Sequence, residues 1–293
     1  MRSLLILWKI LIRKMWEIMA KRGIFIPKDK YPYFEEIQVE YEYFQGLSKQ
    51  QKRRSYLSLH LNFLATSDYA NRKVLEISSA GIDWVGEALS AMNLRKYSNK
   101  LKKYVSLESA FQSSRIYTTD TGEKIGPFPE ALEMAPKEAK KYVKEKSRGF
   151  HSYEYLYEGM MFPAPKFHIS LFYDWLYINA LCEEANSGVL KYLIDGGYNA
   201  FTDIATKALN SQARSAALFV GLEMLGLTEQ ARDRESYFKL FRIDMQKDDF
   251  VGKDAYENVQ VLQKDGSYTP LHPVVKQTVD KEKVKEFYNE LIS

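Results

Sequence analysis

The chain is poor in cysteine, histidine and long apolar runs, and each shortage removes a class of function. Of 293 residues one is cysteine, Cys182, so no intramolecular disulfide can form and a reducing, cytoplasmic setting is expected. Cys182 lies in an apolar run, where a buried inert thiol is the default. The four histidines (His60, His151, His168 and His272) are scattered, with no HExxH and no CxxC, so no zinc site or other metal is expected. The 15 glycines form no GxGxxG fingerprint. Gly81 and Gly86 have the first half of a P-loop spacing, but Glu87 and Ala88 follow where Lys and Ser or Thr are needed. No apolar stretch nears the ~20 residues of a bilayer span, so stable membrane insertion is not expected. The positive excess is small as well: a net charge of +4 suits an anionic ligand without amounting to a nucleic-acid footprint.

What is there is an ordinary globular composition. With 45% hydrophobic and 27% charged residues the chain can bury a large core in one or two domains. The 21 tyrosines are unusual; such residues fill a core by default and stack on bases as the alternative. Residues 1–18 stand apart. They are apolar with Lys9, Arg13 and Lys14 interspersed, and they lack a small-residue cleavage site. Three readings stay open: an interfacial helix anchored by Trp8 and Trp16, a helix packed on the domain, or a biological start at Met19, which is favoured.

Residues 37–44 alternate apolar and polar, the mark of a half-buried strand. Ser48 precedes a helix through Leu64, with Leu57, Leu61 and Leu64 at core spacing. Residues 74–77 read as a short strand and 87–94 as another. Residues 120–129 read as a loop, and Pro136 opens a helix whose Lys-rich run is a solvated face. Residues 172–181 have helical period, with Asp174 a simple surface acid by default. Residues 198–203 read as a loop or short strand. Asn210 and Ser211 then cap a helix over 212–225, with Arg214 in its first turn. That helix start is an anion seat or an ordinary capped helix. Beyond 228 lie charged helical stretches, with Asp265-Gly266 as a hairpin turn between residues 259–262 and 268–269.

The richest stretch is 105–115. Glu108, Gln112 and Arg115 stand at i, i+4 and i+7 of a probable helix and so line one face, with Phe111 beside them. Acid, amide, guanidinium and aromatic plane suit a ligand carrying sugar and phosphate; a solvated helix face is the bland alternative.

The Glu108-x-x-x-Gln112 helix, Leu89-Ser90-Ala91-Met92-Asn93-Leu94 before it and Ala135-Pro136-Lys137-Glu138-Ala139-Lys140 after it resemble the NADAR superfamily. Three later blocks, at residues 172–181, 200–204 and 212–217, resemble the branch that accompanies DarT-type toxins as an antitoxin. The resemblance covers about residues 35 to 228, in the family's order. It implies an α+β fold: a predominantly helical, NADAR/YbiA-like single domain with a few short strands over residues 19–228. A C-terminal extension, 229–293, follows. Residues 1–18 would then be dispensable for ligand binding.

The resemblance further implies an N-glycosidase acting on ADP-ribose. The toxin attaches ADP-ribose to guanine in DNA and the antitoxin removes it. The expected partners are ADP-ribosylated DNA, ADP-ribose and a cognate DarT-type toxin, with no cofactor. Breaking a ribosyl N-glycosidic bond builds positive charge at the anomeric carbon, which a carboxylate stabilises. Glu108 is the choice for that role, and Asp203 resembles a second acid. Gln112, Ser90 and Asn93 are candidates for ribose hydroxyls, Trp175 or Phe111 for ring packing, and Asn210 and Arg214 for the pyrophosphate region. One departure stands out: Arg115 occupies the position where the family usually has lysine. An amine there can attack the opened sugar and form an imine; a guanidinium stays protonated and cannot. Two readings follow: a hydrolase using direct water attack, or an ADP-ribose-binding or toxin-sequestering antitoxin with weak or lost turnover. Another lysine, such as Lys124, is the remaining route to covalent chemistry.

Overall fold

The computed structural model describes residues 18–46, 48–119, 121–148, 150–165, 170–205 and 211–244, and the backbone of 260–262 and 268–270. Strand β1 (Ile18–Pro27) pairs antiparallel with β2 (Phe34–Tyr43) along its full length. The sequence reading anticipated β2 but not β1. Ile24, Phe25 and Ile26 are all buried, an unbroken apolar run without alternation, because β1 lies inside its sheet with both faces covered. Helix α1 (Lys49–Leu64) starts at Ser48, whose hydroxyl accepts the Gln51 N–H while the Gln51 side chain reaches back, a capping box. The short strand β3 (Val74–Glu76) follows as expected.

Residues 87–94, expected as a strand, turn instead. Asp83 caps helix α2 (Trp84–Ala88) by accepting the Val85 N–H at 3.0 Å. Tight turns then run on through Ser90 and Leu94. A local carboxylate cap here outweighs the apolar content. The hairpin of β4 (Arg95–Ser98) and β5 (Lys103–Ser106) leads into α3 (Leu107–Ser114). Strand β6 (Arg115–Thr118) begins where α3 ends and pairs with β7 (Lys124–Ile125), inside the segment expected as a loop. A 3₁₀ turn (Pro129–Leu132) precedes α4 (Pro136–Ser147), which has Pro136 in its first turn as expected. Then come β8 (His151–Tyr157), β9 (Met160–Pro163), α5 (Leu171–Leu181), α6 (Ser187–Asp195) and β10 (Ala200–Thr202). The series continues with α7 (Gln212–Glu223), α8 (Thr228–Arg232) and α9 (Arg234–Leu240). Strands β11 (Gln260–Leu262) and β12 (Tyr268–Pro270) pair antiparallel, the hairpin signalled by Asp265-Gly266.

The class is mixed α+β, with more of the described residues in helix than in strand. One sheet has the order β2-β1-β10-β3, and β10 runs parallel to β3; the other has the order β7-β6-β8-β9 and is antiparallel. Alternation along the first sheet sorts its side chains into two cores. Ile24, Ile26, Ile37, Val39 and Tyr41 meet Tyr56, Leu59 and Phe63 of α1. Phe25, Phe34, Leu75 and Phe201 meet α5 and α7 on the opposite face. That second core continues past residue 228, where the sequence suggests a separate extension: Ala231, Tyr237, Phe238 and Phe241 belong to it. Among the described residues no helix is long and apolar enough to cross a membrane.

Helix α7 approaches the turn between β1 and β2 across Gly221. A Cβ there would sit 2.0 Å from the Tyr33 carbonyl oxygen and 2.9 Å from that of Lys28. Backbone atoms cannot swing aside as a side chain can, so Gly221→Ala is expected to lose about 3 kcal/mol of stability. Urea unfolding checks this; an unchanged midpoint would show that the turn moves freely away from α7.

Candidate functional site

Helix α3 is anchored before it presents any chemistry. Ser106 caps it by accepting the Ser109 N–H at 3.0 Å. The Leu107 and Glu108 N–H groups donate to the Leu94 and Ala91 carbonyls, each at 2.9 Å. The turn over residues 89–94 therefore fixes the first turn of α3, and the Tyr177 hydroxyl ties that turn to α5 by donating to the Leu89 carbonyl at 2.7 Å. Glu108 and Gln112, one helical turn apart and both buried, meet as expected: Gln112 Nε2 donates to Glu108 Oε1 at 3.0 Å.

Arg115 is not on the helix, contrary to the sequence expectation. It caps the C-terminus of α3 with extended backbone and starts β6. It nonetheless stays with the group, its Nη1 3.5 Å from Gln112 Oε1. Its guanidinium lies 4.8 Å from the Tyr117 ring centroid and 5.5 Å from that of Phe111. Its Nε is buried without a partner among the described residues. The second of these rings, Phe111, is a core residue packed on Tyr155, Phe172 and Tyr173.

Asp203 reaches the same region from β10. Gln212, the first residue of α7, donates from Nε2 to Asp203 Oδ2 at 3.0 Å. Its Oε1 accepts the Ala91 N–H at 2.5 Å. Since the Ala91 carbonyl holds the Glu108 amide, one short chain of hydrogen bonds joins the segments carrying the two acids. Ser90, buried beside Ala91, belongs to this turn. Asn93 is exposed and its Nδ2 donates to the Glu87 carbonyl at 2.8 Å.

Three residues here carry no sequence signal of a role. Tyr173 sits in the field of both carboxylates: burial first, then Glu108, Tyr177, Asp203 and Asp174, push its hydroxyl well above the ordinary phenol range. It therefore stays a neutral donor at physiological pH. Gln212 is one letter of the 212–217 block, whose local pattern assigns it no contact. Lys140, on α4, brings Nζ to 3.7 Å from Glu108 Oε1, although its side chain is 62% exposed. A lysine inside a Lys-rich helix reads as solvated face until α4 is packed on α3. Lys124, the other candidate lysine, pairs instead with Glu154 at 2.5 Å on the exposed edge of the second sheet.

Trp175, Arg214 and Ser211 make contacts of a different kind. The Trp175 indole donates to the Arg232 carbonyl at 3.0 Å, and its ring packs on Tyr157 and Phe162. Arg214 is buried, with Nη2 2.7 Å from Asp174 Oδ2. Asp174 is thus no surface acid: it is fully buried and also accepts from the Ser215 hydroxyl at 2.5 Å. Ser211 holds the cap position of α7 without a side-chain capping bond. Asn210 lies outside the described residues. Burial raises the Cys182 thiol to about 11, which leaves it inert. Among the described residues no group of three or more His, Cys, Asp or Glu could hold a metal ion.

No curated protein matches the chain. A family model does, over residues 20–251, and that span includes Glu108, Asp203 and the α8–α9 segment packed beyond residue 228. With that much of its length matched, the chain belongs to the family of DarT1-associated NADAR antitoxins.

Proposed function

We propose that the chain is an N-glycosidase that releases ADP-ribose from guanine in DNA and thereby reverses the modification made by its partner toxin. The observation that carries this reading is the convergence of two carboxylates on one neutral phenol. Glu108 and Asp203 both act on Tyr173, and the Ala91–Gln212 chain holds their segments together. Glycosidic cleavage commonly uses a pair of carboxyl groups, one on each side of the scissile bond. As the bond to guanine breaks, its electrons leave with the base and positive charge grows on the anomeric carbon. The Glu108 carboxylate stabilises that charge, orients the water that adds there and takes a proton from it, while the departing base gains a proton, so that water is divided across the broken bond. Tyr173 donates to an oxygen or nitrogen of the ligand, and Asp203 takes the second acid's part.

Arg115 serves as an electrostatic clamp. Held against Phe111 and Tyr117, its planar fork suits a phosphate or ribose hydroxyl and offers no amine for imine formation. Arg115→Lys is expected to weaken ADP-ribose binding by about tenfold, the loss of a bidentate contact, while turnover persists and borohydride traps no adduct. A large gain in turnover would mean that Arg115 marks lost catalysis. A trapped adduct at Lys140 in the unmutated protein would overturn direct water attack.

The direct test is incubation with an oligonucleotide carrying ADP-ribosylated guanine, following free ADP-ribose. Release at substoichiometric protein supports the enzyme. Tight binding without release supports the sequestering antitoxin instead.

A further inference from the structure

The geometry points to Glu76 as a positioning residue that sets the orientation and charge environment of Asp203, an inference that rests on the role proposed for Asp203. Glu76 ends β3 and faces β10 in the parallel pair. Its carboxylate grips the residues on either side of Asp203: Oε2 accepts the Thr202 hydroxyl at 2.7 Å, and Oε1 accepts the Ile204 N–H at 3.0 Å. The Ser78 hydroxyl donates to Oε1 at 2.6 Å, and the Ile77 N–H binds the Thr202 carbonyl at 2.8 Å. The backbone of Asp203 cannot shift without breaking part of this grip. Gly86 keeps it compact from behind, since a Cβ there would lie 2.0 Å from the Glu76 carbonyl oxygen.

The charged and titratable groups around Glu76 come from every packed element. Asp203 adjoins it from just beyond β10. Tyr41 from β2 and Tyr56 from α1 both feel its charge. Arg22 from β1 reaches the Ile204 carbonyl at 3.5 Å. His60 from α1 contacts the Thr202 hydroxyl at 2.6 Å. Burial lowers His60 to about 3, so it stays neutral at working pH. Burial, then the Asp203 charge, raises Glu76 to about 7. Near neutrality, then, Glu76 changes charge beside Asp203. When ionised it accepts from Thr202, and His60 Nε2–H donates to the Thr202 oxygen. When protonated it donates to the Thr202 oxygen, whose hydroxyl hydrogen then turns to His60 Nε2, with the ring in its Nδ1–H tautomer. Glu76→Gln copies the second state without charge, because its amide can donate to Thr202 and its carbonyl can keep Ser78 and Ile204.

The stability consequence has a definite sign. The folded state holds the Glu76 proton above the unfolded-state value of 4.5, so stability falls as pH rises from there through about 7. Glu76→Gln removes that slope.

The test combines kinetics with a readout that needs no turnover. In the ligand-free full chain, the 13C carboxyl resonance of Asp203 is expected to carry an inflection where Glu76 titrates, absent in Glu76→Gln. Glu76→Ala is expected to lose about 100-fold in kcat, the scale of a displaced catalytic group, with KM within about threefold. In an Asp203→Asn background the same change should add almost nothing. An Asp203 resonance indifferent to Glu76→Gln, or losses that multiply in the double variant, would overturn the inference. If the unmutated chain released no ADP-ribose, the glycosidase reading would fail while the resonance still decided whether Glu76 governs Asp203.

Discussion

Glu108→Gln is expected to keep ADP-ribose bound and to release almost none of it from a modified oligonucleotide. The glutamine amide fits where the carboxylate was, and its oxygen can still accept from Gln112 Nε2, which now lies 3.0 Å from Glu108 Oε1. What disappears is the negative charge that opposes the cation forming at the anomeric carbon. Removing one group aimed at developing charge costs turnover on the order of 10³-fold. Single-turnover release measures the loss, and calorimetry with ADP-ribose checks that binding survives. Lys140 loses its anionic partner in the same variant, so a modest change in affinity is expected as well. The same substitution separates the two biological readings. A hydrolase loses its protection against the toxin, whereas a sequestering antitoxin keeps it. Protection that survives undiminished in cells would sink the hydrolase reading.

The second large effect concerns stability. Asp174→Asn is expected to cost about 3–5 kcal/mol, since it leaves the Arg214 guanidinium charged in the core without its counter-ion. The side chains of Arg214 and Asp174 are 4% and 0% exposed, so water cannot take over the lost contact. Arg214 Nε already lacks a partner among the described residues. An exposed pair such as Lys21–Glu40 offers the contrast, where Lys21→Gln should change stability by less than about 1 kcal/mol. Urea unfolding of both variants makes the comparison. The double change Asp174→Leu with Arg214→Met should recover much of the loss, because an apolar pair needs no counter-charge. If Asp174→Asn alone cost under about 1 kcal/mol, the pair would be better hydrated than its burial implies. Activity should fall with stability, because α7 carries both Arg214 and the Gln212 that holds Asp203.

The contrast between β1 and α3 shows how far local pattern reaches. The alternation around Ile37 and the Ser48 cap are local signals and gave β2 and α1 their places. Ile24-Phe25-Ile26 carries no period, since a strand covered on both faces needs apolar side chains on each. The strand expected over 87–94 failed for the opposite reason, an aspartate cap that closes a helix before the apolar run can extend. Arg115 shows the same limit at an element boundary: helical spacing put it on the Glu108 face, whereas its backbone is already extended. It stays near Gln112 because β6 leaves the helix beside that face.

By itself, the sequence determined the mixed α+β class, the pairing of Glu108 with Gln112, the capped or proline-led starts of α1 and α4, and the family resemblance. All of these depend on residues within a few turns of one another, or on blocks in order along the chain. Only the tertiary structure decided that Asp174 is the buried counter-ion of Arg214, that Trp175 serves the core, and that Lys140 stands beside Glu108. It alone brought Asp203, Gln212, Tyr173 and Glu76 together. Apart from Asp203 and Gln212, which are 9 positions apart, the partners in these contacts stand 30 to more than 120 positions apart. A side chain's charge, amide or hydroxyl acquires its role from what packing places opposite it, and no local period encodes that.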